Sequence, residues 1–386
     1  MRSTVVQGFA DAVRRWPGAV AVGGPEPMTY AELAARAGGV ARALAGVAPG
    51  DRVGVALPHG PLAIAGVLGV LAAGAAYVPL DPAFPERRRA AMAETAGLAA
   101  VLTDAASGLP GTRIDDLPDA ALTPAEPGET AYVLFTSGST GLPKAIAQTH
   151  ANLAHVVANQ VAALGIGPAD RLSLLASLSF DAAIPDLFPP LLTGAAVVPV
   201  DVRALGVAET ARLLAEHGVT VYHSTPTLYR YLLDTGVRLP SVRAVLLGGE
   251  QCTWADLRRG ARTFAEDCVF VNGYGATEVT FAAHFRVAAA DLPDTDGPVP
   301  IGTALPGYAL RLGADGEITV VGERLAAATS AAPATGSART RTARPPTAPA
   351  TSAGSVRRGP SSAWAGWTGS SRSAATGSSP PRSRPR

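Results

Sequence analysis

Residues 131 to 144 read Ala131-Tyr-Val-Leu-Phe-Thr136, then Ser137-Gly-Ser-Thr-Gly-Leu-Pro-Lys144. The first half is apolar, β-branched and aromatic, the composition of a buried strand. The second half cannot extend that strand. Gly138 and Gly141 open backbone conformations closed to other residues. Ser137, Ser139 and Thr140 place hydroxyls around them, Pro143 stiffens the exit, and Lys144 adds a fixed charge. A strand that opens into such a loop suits a polyphosphate: N–H and hydroxyl groups donate, and the ammonium neutralises. No Gly-Lys-Ser/Thr follows the glycines, so this is not the Walker loop. The plain alternative is a polar surface turn; the unbroken run from Phe135 to Lys144 argues against it.

Working outward, helix and strand patterns alternate. Thr29-x-x-Glu32 is a capping box; the helix it starts runs towards Leu44 and stops near Gly46. Strands are expected at 51–57, 76–79 and 99–103, with a helix over 62–73 and Pro85 opening another. Beyond the loop, 150–164 reads as a helix. Strands follow at 172–175, 195–200, 219–222, 242–247 and 268–272, with helical patterns between. This alternation predicts a parallel α/β sheet covered on both faces. From Val279 to Val321 the spacing shortens to short strands punctuated by Gly and Pro, as in a small antiparallel barrel or sheet.

The uncharged run from Leu62 to Leu80 is nearly long enough to span a bilayer. It contains Gly66, Gly69 and Gly74 and ends in Pro79-Leu-Asp-Pro82, so a buried helix and strand account for it better. The chain has 386 residues, 47% of them hydrophobic, enough for one large domain or two. A net charge of +1 makes no electrostatic case for nucleic acid or an anionic membrane. Cys252 and Cys268 lack metal or redox spacing, and Met1 to Phe9 lacks the build of a signal peptide. A cytoplasmic setting is expected.

Two further segments carry candidate chemistry. In Ser179-Phe-Asp-Ala-Ala-Ile-Pro-Asp186, Asp181 could simply cap the helix that begins near Pro185. Asn272-Gly-Tyr-Gly-Ala-Thr-Glu278 follows the strand-like Val269-Phe-Val271, at a carboxyl end where α/β sheets bind ligands. Its plain alternative is a Gly turn with polar neighbours.

Together these stretches resemble the adenylate-forming enzymes, most closely the amino-acid adenylation domains of nonribosomal peptide synthetases. The loop there reads Tyr/Phe-Thr-Ser-Gly-Ser-Thr-Gly-x-Pro-Lys-Gly; this chain matches up to Lys144 and has Ala145 in place of Gly. The family's Asn-x-Tyr-Gly-Pro-Thr-Glu is matched with Ala276 in place of Pro. The run Tyr77-Val-Pro-Leu-Asp-Pro-Ala-Phe-Pro-Glu86, Ile301-Gly302 and Gly316-Glu317-Ile318 also fit the family.

The resemblance implies a fold and a set of roles. The fold is α/β, the large N-terminal subdomain of adenylate-forming enzymes, with two helix-flanked sheets and a small β-rich part. Thr136, Ser137, Gly138, Ser139, Thr140, Gly141 and Lys144 would hold ATP phosphates. Asn272, Gly273, Tyr274, Gly275, Ala276 and Thr277 would complete the nucleotide site, with Tyr274 stacked on adenine. Lys144, Thr277 and Glu278 would be the catalytic groups, and Glu278 would hold Mg²⁺. Asp181 would bind a substrate α-ammonium, a role for which aryl-acid relatives tend to carry Asn. The side-chain pocket would comprise Asp181, Ala182, Pro185, His223, Leu246, Gly248, Gly273, Phe281 and Ala282. His223 is its one group able to read a polar side chain; a core histidine bonded to backbone is the equal alternative. The implied reaction joins an amino acid to ATP as aminoacyl-AMP, releases pyrophosphate and loads a phosphopantetheine thiol. The implied partners are a peptidyl carrier protein or neighbouring synthetase domains. An acyl- or aryl-CoA ligase and a non-catalytic nucleotide-binding remnant are the alternatives.

After Glu323 the composition changes. No Asp, Glu, Lys, Ile or Asn occurs from Arg324 on, and Leu325 is the last Leu. Ala, Ser, Thr, Gly, Pro and Arg cannot build a core, which predicts disorder over 326–386. The codons of these residues also permit a shifted reading, each new codon taking the third base of one residue and the first two of the next. Ala327 to Pro333 can then read Gly-Tyr-Leu-Gly-Arg-Pro, Pro346 to Gly354 Tyr-Arg-Thr-Gly-Asp-Leu-Gly-Arg, and Ala363 to Ser370 Leu-Gly-Arg-Val-Asp-Gly-Gln. All three resemble later adenylation-domain motifs, in the expected order. The expectation is an AMP-binding large subdomain over 1–325 and a low-complexity tail over 326–386, produced by a frame slip near Arg324 to Ala327 in the gene or its sequencing. The ribose-binding Asp and the small C-terminal subdomain with its catalytic Lys would then be missing, and activity impaired.

Overall fold

A computed structural model describes residues 4–104, 110–137, 143–314 and 316–328. Among these residues two large sheets carry the fold. The nine-stranded sheet runs Thr303–Ala304, Ala283–Ala288, Val269–Tyr274, Ala244–Gly248, Val221–Ser224, Arg171–Leu174, Ala196–Pro199, Val20–Val22 and Met28–Thr29. From Val269–Tyr274 across to Val20–Val22 the neighbours are parallel. The seven-stranded sheet runs Ala327–Ala328, Pro143–Thr149, Thr130–Ser137, Ala76–Pro79, Arg52–Ala56, Ala100–Thr103 and Thr112–Arg113.

One apolar core serves both sheets. Leu174 and Val197 enter it from the nine-stranded sheet, Val53, Tyr77 and Tyr132 from the other. The helix Ile184–Thr193 packs into it, with Phe188 6.4 Å, ring to ring, from Tyr77. The run that could have spanned a bilayer is the helix Pro61–Ala72 followed by the strand Ala76–Pro79. Every residue from Ala63 to Ala72 is buried, so the helix is apolar all round because protein surrounds it. It approaches the helix Tyr30–Ala43 so closely that a Cβ on Gly69 would lie 2.4 Å from that of Val40. Among the described residues, no helix is long and apolar enough to cross a membrane.

Local signals set several boundaries. Thr29 and Glu32 cap the helix Tyr30–Ala43 reciprocally, as their spacing predicts. Thr29→Ala should lower stability by about 1 kcal/mol in urea denaturation. The helix His150–Leu164 occupies the predicted residues, capped by Thr149 and ended by Gly165 in the left-handed region.

Three features differ from the sequence reading. The strands on either side of the phosphate-loop stretch pair with each other, because Pro143–Thr149 returns antiparallel to Thr130–Ser137. The shortened spacing after Val279 is not one separate barrel. Ala283–Ala288 and Thr303–Ala304 extend the nine-stranded sheet antiparallel, and only Tyr308–Leu312 with Ile318–Gly322 forms its own two-stranded sheet. Ala327–Ala328 adds an edge strand beside Ile146 and Ala147. The predicted disorder concerns residues that, from 329 on, lie outside those described.

Candidate functional site

The site forms where parallel strands of the nine-stranded sheet end. His223 pairs in register with Leu246, and Gly248 with Gly273, which brings the carboxyl ends of three strands side by side. Open α/β sheets bind ligands at such ends. A cavity there is lined by Asp181, Ala182, His223, Gly248, Gly249, Gly275, Thr280 and Phe281. Five of the nine residues expected around a substrate side chain thus face one cavity. Pro185, Leu246, Gly273 and Ala282 do not line it. Pro185 lies in the first turn of Ile184–Thr193, and Leu246 and Ala282 are packed in the core.

Asp181 does not cap the following helix. It opens a short 3₁₀ turn, Asp181–Ala183, and the helix after it has no side-chain cap. The residue is 6% exposed, and burial pushes its carboxyl pKa up to about 6, against backbone N–H bonds that favour the charge. The Glu278 carboxylate adds repulsion and His223 a smaller attraction. A buried carboxyl held at that balance has a charge to offer a cationic ligand.

The space beside the two glycines expected in the pocket, Gly248 and Gly273, is already taken. A Cβ on Gly248 or Gly273 would meet the Phe281 ring at 2.9 or 2.5 Å. Behind the cavity, Asp186 and His223 form a buried pair: both carboxylate oxygens lie 2.9 Å from Nδ1, and each side chain is 4% exposed. Burial raises the Asp186 pKa, and the histidine partly offsets that. The core-histidine alternative therefore fails in its detail, since the ring is tied to a carboxylate rather than to backbone. Asp186 was missed as a functional candidate. It closes the segment that contains Asp181, but nothing in spacing links it to a residue 37 positions on.

The loop after Val269–Tyr274 is tightly folded. A Cβ on Gly275 would lie 1.9 Å from the Thr280 carbonyl, so the chain can cross itself only with glycine there. The Ala276 carbonyl accepts from the N–H groups of Val279 and Thr280, and Thr280 takes a φ of 61°, unusual for a β-branched residue. Gln148 donates to the Thr277 carbonyl at 3.0 Å, which ties this loop to the hairpin. Asn272, expected at the nucleotide, instead donates its amide to the carbonyls of Val299 and Pro300. Tyr274 is half-buried at the strand's end, and burial raises its pKa. Lys144 on the returning hairpin strand brings Nζ to 3.8 Å from Glu278, both side chains partly exposed. Thr136 stands opposite Lys144 in the hairpin, with Ser137 at the strand's end. Gly138, Ser139, Thr140 and Gly141 lie outside the described residues.

Magnesium binds few protein oxygens and takes most of its shell from water and phosphate. The single accessible Glu278 carboxylate beside a lysine fits that donor set. No cluster of three or more metal-binding side chains occurs among the described residues.

A family model for AMP-binding enzymes matches residues 9–325. The chain is 38% identical over 321 residues to pyochelin synthetase PchE of Pseudomonas aeruginosa, a match covering 77% of this chain and 22% of that protein. Phenyloxazoline synthase MbtB of a Mycobacterium species is 37% identical over 330 residues, covering 80% and 28%. The chain thus spans under a third of the length of either relative. The nonribosomal peptide synthetase FmoA3, in its α-methyl-L-serine-AMP-bound form, superposes with a TM-score of 0.76 at 30% identity, covering 84% of this chain and 40% of that one. The N-terminal subdomain of Klebsiella oxytoca NpsA shares the fold, at a TM-score of 0.71 and 24% identity, covering 84% of this chain and 88% of that one. With strands that end at this cavity and a family match over most of its length, the chain belongs to the AMP-binding enzymes, the adenylate-forming ligase family that includes the adenylation domains of nonribosomal peptide synthetases.

Proposed function

We propose that residues 1–325 are the large subdomain of an amino-acid adenylation domain, and that it binds ATP and an α-amino acid for conversion to aminoacyl-AMP and pyrophosphate. The observation that carries this reading is the buried Asp181 carboxyl facing the cavity, beside the loop of Thr277 and Glu278. It supplies a charge-assisted hydrogen bond to an α-ammonium in a sheltered place. An acyl- or aryl-CoA ligase would have no use for that charge. The AMPPNP-bound and aminoacyl-AMP-bound forms of FmoA3 support the nucleotide half of the reading.

In the proposed reaction the substrate carboxylate attacks the α-phosphate in line and pyrophosphate leaves. Catalysis is chiefly positioning and neutralisation of phosphate charge. Lys144 serves the departing phosphates with Thr136, Ser137, Gly138, Ser139, Thr140 and Gly141, and Thr277 donates near the α-phosphate. Tyr274 offers its face to adenine. Mg²⁺, held by Glu278, would supply further charge neutralisation. Lys144 and Glu278 pair with each other here, so nucleotide entry exchanges that pair for phosphate and metal contacts. The acyl group would then pass to a phosphopantetheine thiol of a carrier domain. We also propose that the chain beyond Leu325 derives from a shifted frame; the end of the family match at residue 325 supports this.

The reading makes a pH prediction. Below about 6 Asp181 is neutral, and binding an α-ammonium must first release its proton. Affinity for an aminoacyl-sulfamoyl adenosine should therefore rise about tenfold per pH unit up to about 6 and level above it. Calorimetry over that range, with AMP as a control, reads this directly. AMP should show no such rise; equal slopes for the two ligands would sink the assignment of Asp181. Nucleotide binding with no amino-acid-dependent pyrophosphate exchange, even with a complete C-terminal subdomain, would favour a non-catalytic remnant.

A further inference from the structure

We propose that Asp186 holds His223 as a hydrogen-bond acceptor, so that the pocket selects an α-amino acid with a short, hydroxyl-bearing side chain. The proposal rests on the amino-acid reading of the site given above.

The argument starts from the tautomer. Both Asp186 oxygens lie at the same 2.9 Å from Nδ1, the geometry of one N–H shared between two acceptors. A carboxylate can only accept, so the proton sits on Nδ1. Among the described residues both hydrogen bonds of the ring use Nδ1; with the imidazole neutral, Nε2 keeps its lone pair. The ring is clamped as well as polarised. The His223 backbone N–H bonds to Ser173 Oγ, and the Phe281 ring packs 5.8 Å from the imidazole. Asp186 is fixed in turn by the first turn of Ile184–Thr193, itself buried in the shared core.

Size follows from Phe281. Its ring fills the space beside Gly248 and Gly273 that would otherwise admit a long side chain. The wall that remains presents Ala182, His223, Thr280 and Phe281, and the His223 ring and the Thr280 hydroxyl are its side-chain groups able to hydrogen-bond. Asp181 is engaged by the α-ammonium. A short side chain ending in a hydroxyl satisfies Nε2; an apolar one leaves a buried acceptor unpaired. A carboxylate side chain brings an acceptor to an acceptor.

The test compares seryl-, alanyl-, aspartyl- and leucyl-sulfamoyl adenosine by calorimetry with the 386-residue chain. The seryl analogue should bind about 10–100-fold tighter than the alanyl one, and the aspartyl and leucyl analogues weaker than both. In Asp186→Ala the ring loses its anchor, and the seryl-to-alanyl ratio should fall towards one with alanyl affinity retained. Asp186→Asn keeps a carbonyl for Nδ1–H and should keep most of the ratio. A merely structural Asp186 would weaken all analogues alike. Alanyl or leucyl binding as tight as seryl in the unaltered chain overturns the selectivity and leaves the amino-acid reading standing. AMP binding without binding of any aminoacyl analogue overturns both.

Discussion

Asp181→Asn should weaken binding of an alanyl-sulfamoyl adenosine by about 10²–10⁴-fold and leave AMP affinity unchanged. The size follows from burial. Removing one partner of a buried charge pair strands the other in a low-dielectric site, at a cost of about 3–5 kcal/mol. Asparagine keeps the shape and the backbone hydrogen bonds but carries no charge for the ammonium. Folding should not suffer, because burial already opposes the carboxylate and asparagine removes that opposition. The discriminating control is the propionyl analogue, which lacks the amino group. Its affinity should be indifferent to Asp181→Asn, or rise. Loss of both analogues together would mean that the substitution collapses the cavity; no loss of either would return the chain to the acyl- or aryl-CoA ligase reading. In a frame-restored protein the same substitution should abolish amino-acid-dependent pyrophosphate exchange.

Restoring the frame near Arg324 should raise adenylation activity by at least about 10²–10³-fold, the usual cost of one lost charged contact to a transition state. By resemblance the shifted segment holds an Asp for the ribose hydroxyls, and the subdomain beyond it holds a Lys that bridges carboxylate and phosphate. The restored chain should also gain a foldable segment, since Leu, Val and acidic residues return in that frame. Pyrophosphate exchange on the two proteins side by side measures the change. Sequencing the gene across Arg324 to Pro333, with an intact protein mass, tests the premise. An unshifted gene, or equal exchange rates, would reject it. The edge strand Ala327–Ala328 is compatible with either frame, because ladder hydrogen bonds belong to the backbone and not to side chains.

What the sequence determined by itself is local or periodic. The alternation of strand and helix, the Thr29–Glu32 box and the bounds of His150–Leu164 follow from neighbours within a few positions, whereas Asp181 and the Tyr274-to-Glu278 loop stood out by their resemblance to the family's motifs. The return strand Pro143–Thr149 was not legible, since its short run of Ala, Ile and Gln becomes a strand by pairing with Thr130–Ser137. The tertiary structure alone decided which residues share the cavity. It put Phe281 into the space of two glycines, turned Asn272 towards Val299 and Pro300, set Lys144 against Glu278, and joined Asp186 to His223. Each of those contacts joins residues that only the folded chain brings together. Propensity and spacing do not encode such pairings; packing and the need to partner buried polar groups select them once the sheets assemble.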